Sequence, residues 1–162
     1  MKRVFTLSGL LLFALLSVPT VQAQTPDLSG TWVYNPDKSV LPNTERMGAR
    51  GGGTEIVIKQ EGDTITITRQ MRTREGTRSM DEVIVADGRP HEQSMGRGTV
   101  TVTASWQEGR LVVERTMPSR RGQASATTST TTYTVRNDGQ LLLIDSTDRQ
   151  GDLISRAYDR KG

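Results

Sequence analysis

The sequence predicts an all-β domain, an antiparallel up-and-down barrel of about 8–10 strands with one short helical turn. Two patterns predict it. Polar and apolar residues alternate strictly in runs such as Thr64-Ile65-Thr66-Ile67-Thr68-Arg69, the two-residue period of a half-buried strand. Such runs are joined by tight glycine turns, Gln60-Glu61-Gly62-Asp63, Gln107-Glu108-Gly109-Arg110 and Asn137-Asp138-Gly139. Turns that short link neighbours directly, whereas a Greek key needs long connections.

The chain opens on an export leader. Met1-Lys2-Arg3 is a positive n-region, Val4 to Leu16 is mostly apolar, and Val21-Gln22-Ala23 suits a signal peptidase. Residues 1–23 are therefore assigned as a signal peptide and 24–162 as the barrel domain. The apolar run is shorter than the roughly 20 residues that span a bilayer, so no span is expected after cleavage. Periplasmic or extracellular localisation follows. The sequence holds no cysteine, which excludes disulfides, a lipidated cysteine and thiolate metal sites.

The basic balance is largely a property of the leader. Without Lys2 and Arg3, 19 basic residues face 18 acidic ones, so nucleic acid is not an expected partner. Both phenylalanines, Phe5 and Phe13, also lie in the leader. The domain's aromatics are Trp32, Trp106, Tyr34, Tyr133 and Tyr158, so its core must be built from Val, Ile and Leu.

The first strand, 29–34, carries Gly30-Thr31-Trp32. Gly30 permits a close backbone approach, and Trp32 shares its face two residues on. Asn35-Pro36 then reads as a cap with proline at the first helical position, the expected single helical turn over 35–39. Residues 40–53 form a glycine-rich loop. The remaining strands are expected at 54–60, 63–73, 77–86, 90–95, 99–107, 110–117, 124–136, 140–148 and 152–159. The inner faces are Ile56/Ile58, Ile65/Ile67/Met71, Val100/Val102/Trp106 and one of the Leu141/Leu143 or Leu142/Ile144 pairs. The threonine faces turn outward, the reverse of an outer-membrane barrel, whose outer face is apolar.

Successive connections in such a barrel alternate between its ends. With 90–95 counted as a strand, the tight turns gather at one end. The longer connections, carrying Arg50, Arg74, Arg97, Arg120, Arg121 and Arg149, gather at the other. That end reads as an open mouth attractive to an anionic or amphiphilic molecule, although loop arginines also serve solubility alone. Trp32 falls at the closed end. The last strand brings Tyr158 and Arg160 beside it, so that the guanidinium can cover the indole.

Asp27-Leu28-Ser29-Gly30-Thr31-Trp32 with Asn35-Pro36-Asp37-Lys38-Ser39, the Asp87-Gly88 turn, Trp106 before a glycine turn and the closing Tyr158-Asp159-Arg160 resemble small exported bacterial lipocalin-like proteins. The Gly-x-Trp opening with a late arginine is similar to the wider calycin pattern. The resemblance implies a barrel that holds a small apolar molecule. It says little about substrate, since that bacterial group is largely without assigned function. The chain departs from the lipocalin pattern in lacking cysteines and in having few aromatics.

Catalytic chemistry finds no constellation. His91 is the one histidine, no Gly-x-Ser-x-Gly elbow accompanies it, and a metal site normally needs two or more His or Cys. Asp81 and Glu82 are adjacent, face opposite sides of a strand and cannot work as a pair. No cofactor is expected. The expected function is a non-catalytic monomeric barrel binding a small apolar or amphiphilic ligand, with Trp106, Tyr133, Met71 and Val102 as its wall and Arg97 and Arg50 at its rim. The alternative is a barrel filled by side chains whose loops contact a protein partner. An interior below about 300 Å³ favours the second.

Overall fold

The structure, a computed structural model, describes residues 25–41, 55–73, 76–95, 98–118, 126–147 and 151–162. Ten strands run through these residues: β1 Gly30–Val40, β2 Glu55–Glu61, β3 Thr64–Thr73, β4 Gly76–Val85, β5 Pro90–Met95, β6 Gly98–Gln107, β7 Arg110–Met117, β8 Thr127–Arg136, β9 Leu141–Thr147 and β10 Leu153–Arg160. They form a single antiparallel sheet ordered β4-β3-β2-β1-β10-β9-β8-β7-β6-β5. The first strand pairs with the last, Trp32 opposite Arg160 and Tyr34 opposite Tyr158, so the sheet curls into the expected up-and-down barrel.

Two features differ from the expectation. The barrel is not sealed, because β4 and β5 are adjacent in sequence yet stand at opposite edges of the sheet. The connection between them explains why. Ala86 N donates to Asp63 O (2.8 Å) and Gly88 N to Ala104 O (2.8 Å). The turn is thereby tied to the start of β3 and to β6 and does not fold β5 back onto β4. A side-chain bond crosses the gap, from Gln93 Nε2 to the Val83 carbonyl at 2.5 Å.

The second difference is the helical turn over 35–39, which does not form. Asn35 Oδ1 does accept from the amides of Asp37 (3.0 Å) and Lys38 (3.2 Å), as a cap would. The flanks, however, belong to the ladder with β10. Asn35 pairs with Ala157 and Val40 with Ser155, so five residues of β1 advance against two of β10. The extra residues bulge out of the strand, and Ser39 Oγ bridges the bulge by donating to Asn35 O (2.7 Å) and accepting from Ala157 N (2.9 Å).

The interior follows the alternation. Ile56, Ile58, Ile65, Ile67, Ile84, Val100, Val102, Leu111, Val113, Leu142 and Ile144 are buried with Leu28, Trp32, Tyr133 and Tyr158. On β9 this selects the Leu142/Ile144 face. The tight turns after β2, β6 and β8 and the 86–89 turn gather at one end, beneath which residues 25–29 pass. There Leu28 N donates to Gln60 Oε1 (3.0 Å), and Gln60 N donates back to Ser29 Oγ (3.1 Å). The β6–β7 turn puts both Glu108 (φ 50°) and Gly109 (φ 74°) in the left-handed region, the two-residue geometry that matches strand twist. The connections of the opposite end, with Arg50, Arg74, Arg97, Arg120, Arg121 and Arg149, lie outside the described residues, as do residues 1–24.

Candidate functional site

Apolar side chains fill the end of the barrel that holds the tight turns. Trp32 is fully buried there and donates from Nε1 to Leu28 O (3.0 Å). Arg160 covers its ring at 4.4 Å. The same guanidinium donates to Gly139 O (2.5 Å) and Ser29 O (2.7 Å). Gly30 is required beneath it: with φ at 142°, a Cβ would stand 2.5 Å from Arg160 Nη1. Tyr158 packs edge-on against Tyr34 at 5.5 Å, and burial pushes its hydroxyl pKa up. Trp106, expected in a ligand wall, lies at this end opposite Leu111 and half-buried against the core. It belongs to the filled part of the barrel.

One rung beyond the apolar floor the interior changes character. Arg69 continues the Ile65/Ile67 face of β3, Glu82 precedes Ile84 on β4, and Arg115 follows Leu111/Val113 on β7. The register places Ile67 opposite Glu82, Ile56 opposite Arg69 and Val102 opposite Arg115. Residues directly opposed in an antiparallel pair share a face, so all three charged side chains point inward. They meet. Arg69 Nη1 donates to Glu82 Oε2 at 2.6 Å. Arg115 donates through Nε (3.1 Å) and also through Nη2 to Glu82 Oε1. The remaining arms reach β8: Arg69 Nη2 donates to the Tyr133 hydroxyl (3.3 Å) and Arg115 Nη1 to Thr131 Oγ1 (3.3 Å). The three charged side chains are 14–23% exposed, shielded enough for the charges to interact more strongly than at the surface. Burial pushes the Glu82 carboxyl up, but the Arg115 and Arg69 guanidiniums outweigh it and hold its pKa below the usual carboxylate value.

Of the residues expected at a ligand site, Tyr133 and Val102 are brought to this cluster, Tyr133 as a direct partner of Arg69. The side chain of Met71, and Arg50 and Arg97 entirely, lie outside the described residues. Arg69, Glu82 and Arg115 were missed by the expectation, although parity carries the signal: each sits in phase with a run of buried Ile, Val or Leu. Asp81 and Glu82 do face opposite sides, Asp81 accepting from Thr68 Oγ1 at 2.7 Å on the outer surface. His91 is paired with Asp87, Nε2 to Oδ1 at 3.0 Å. Among the described residues no three His, Cys, Asp or Glu side chains come together as a metal site would require. What the cluster shows is two guanidiniums converging on a single carboxylate, a donor geometry that matches an acidic group.

Comparison with solved structures places this geometry. The chain is similar to REP1-NXSQ fatty acid transporter (TM-score 0.53, 17% identity, 83% of this chain and 96% of that one). It is similar to a tyrosine-to-phenylalanine mutant of that transporter (TM-score 0.55, 16% identity, 83% and 98%). It is also similar to an asparagine-to-alanine mutant of the fluorescent protein UnaG (TM-score 0.55, 14% identity, 83% and 96%). The fold is a lipocalin-like barrel. Identities this low establish the architecture and nothing finer. No family model matches the sequence, and no curated protein does.

Proposed function

We propose that this chain is an exported, non-catalytic carrier of a small amphiphilic anion, its acidic head held inside the barrel by Arg69, Arg115 and Tyr133. The observation that carries the reading is the convergence of two guanidiniums on one interior carboxylate, Glu82, with the Tyr133 phenol bonded to Arg69 beside it. Arginine forks match carboxylate geometry, and a shielded position strengthens the match. The apolar residues next to the cluster, Ile56, Ile67, Val102, Val113 and Ile144, are themselves buried, so the body of such a ligand has to extend from the cluster away from this floor. Export is supported by the leader-like pattern of residues 1–23.

Calorimetric titration of the mature protein with dodecanoate and with dodecanol tests the reading. Dodecanoate binds at least tenfold more tightly than dodecanol, and Arg115→Ala removes most of that difference, since a charge-assisted contact is worth roughly 1.5–3 kcal/mol. Native mass spectrometry of protein purified from the periplasm is expected to show a co-purified acid. If neither compound binds and no mass co-purifies, the carrier reading falls. The filled apolar floor then favours a solid barrel that works through a protein partner.

A further inference from the structure

We propose that Glu82 is a built-in occupant of the anion seat, a carboxylate of the chain's own that an incoming acid must displace before it binds. This inference rests on the carrier reading and names the residue that sets the site's affinity.

The bonding of the cluster leads to it. Both Glu82 oxygens are engaged, Oε2 by Arg69 and Oε1 twice by Arg115. Arg69 Nη2 and Arg115 Nη1 bond Tyr133 and Thr131. The Nε–Nη2 fork of Arg115 is taken by Glu82 Oε1, so no second carboxylate can dock on that fork while Glu82 stays in place. A ligand's carboxylate would have to reproduce the bonds that Glu82 already makes, so releasing Glu82 offsets part, but not all, of what the head group contributes, and the ligand's apolar body must supply the rest. The site thereby discriminates against short acids, which offer a head and nothing to offset the displacement.

The position of Glu82 makes displacement mechanically simple. It is carried by β4, an edge strand of the open barrel that is laddered to β3 alone. Across its free edge lies β5, joined to it by the Gln93-to-Val83 bond. A carboxylate on an inner strand would be fixed by ladders on both sides, whereas Glu82 can withdraw toward the gap. Removing its charge leaves two guanidiniums without a carboxylate. That state is costly in the empty protein and is relieved by a bound acid.

Glu82→Gln, compared with the unaltered mature protein by calorimetry, tests the proposal with dodecanoate, dodecanol and acetate. The expected result is a gain of roughly ten- to a hundredfold in dodecanoate affinity, the scale of one charge-assisted carboxylate contact, with dodecanol unchanged. Acetate, too short to bind the unaltered protein, binds the variant. Unchanged or weaker dodecanoate binding by Glu82→Gln overturns the proposal while leaving the carrier reading intact. Absence of binding by both proteins to all three compounds overturns both. Should Glu82→Gln fail to fold, the unaltered protein still decides. Saturation with dodecanoate moves the Glu82 carboxyl ¹³C resonance to that of a solvated carboxylate. A resonance that stays put while dodecanoate binds overturns the displacement.

Discussion

Arg160 and the Arg69–Arg115 pair are two arginine sites among the described residues that are built differently. Arg160, at the base, is held by things that cannot leave: two backbone carbonyls and the face of Trp32. Arg69 and Arg115, one tier further in, are held by the side chain of Glu82 on an edge strand. The first arrangement ties together three parts of the chain, since Arg160 belongs to β10 and its partners to the segment before β1 and the β8–β9 turn. The second imitates a complex with an acid. The same residue type thus ties main-chain segments together at the base and pairs with a carboxylate side chain one tier further in.

The comparison is broken most severely at Trp32. Trp32→Ala empties the fully buried base and is expected to cost roughly 3–5 kcal/mol in denaturant unfolding. Arg160→Ala removes two charge-assisted bonds and the ring contact. It should cost roughly 2–3 kcal/mol and leave the preference for dodecanoate over dodecanol as it was. A loss of that preference would mean that the two sites are not separable. Arg160→Lys is expected to recover little, because one ammonium cannot span both carbonyls.

The pH dependence sharpens the comparison at the second site. Glu82 has a lower pKa folded than unfolded, so the folded state binds fewer protons in that window and stability rises with pH there. Its contribution is complete above the unfolded value of about 4.3 and is lost as pH falls through the lower folded value. Glu82→Gln should flatten the acid limb of a stability–pH curve. It will not abolish that limb, because hydrogen bonds from Ser29, Arg89 and Lys38 hold Asp27, Asp87 and Asp159 low as well. An acid limb identical in both proteins would show that the guanidiniums do not stabilise the Glu82 charge.

The smallest effect is expected one residue away. Asp81 is adjacent to Glu82 but bonds Thr68 on the outer face. Asp81→Ala should change stability by no more than about 0.5 kcal/mol and leave dodecanoate binding untouched, which a binding titration beside Glu82→Gln would check.

Much of the barrel was legible in the residues. The ten strands, apart from the extension of β1 to Val40, the gathering of the tight turns at one end and the indole–guanidinium contact all follow from a two-residue period and the parity of the hairpins. The turn over 35–39 was not legible. Asn35-Pro36 carries a helix-cap signature, and the cap's hydrogen bonds do form. Pairing of Asn35 and Val40 with β10 overrides the local preference, a long-range term that no window of five residues contains. The gap between β4 and β5 was hidden for a similar reason, being decided by where Ala86 and Gly88 find their acceptors.

The candidate site lies between these cases. That Arg69, Glu82 and Arg115 face inward is a local fact, fixed by their phase with Ile67, Ile84 and Val113. That they meet is not, because they come from three strands and touch only once the sheet has curled. Alternation along a strand is a property of covalent geometry, so the sequence alone determined which side chains enter the barrel. Which of those side chains become neighbours depends on curvature, register and closure, and the tertiary structure alone decided that.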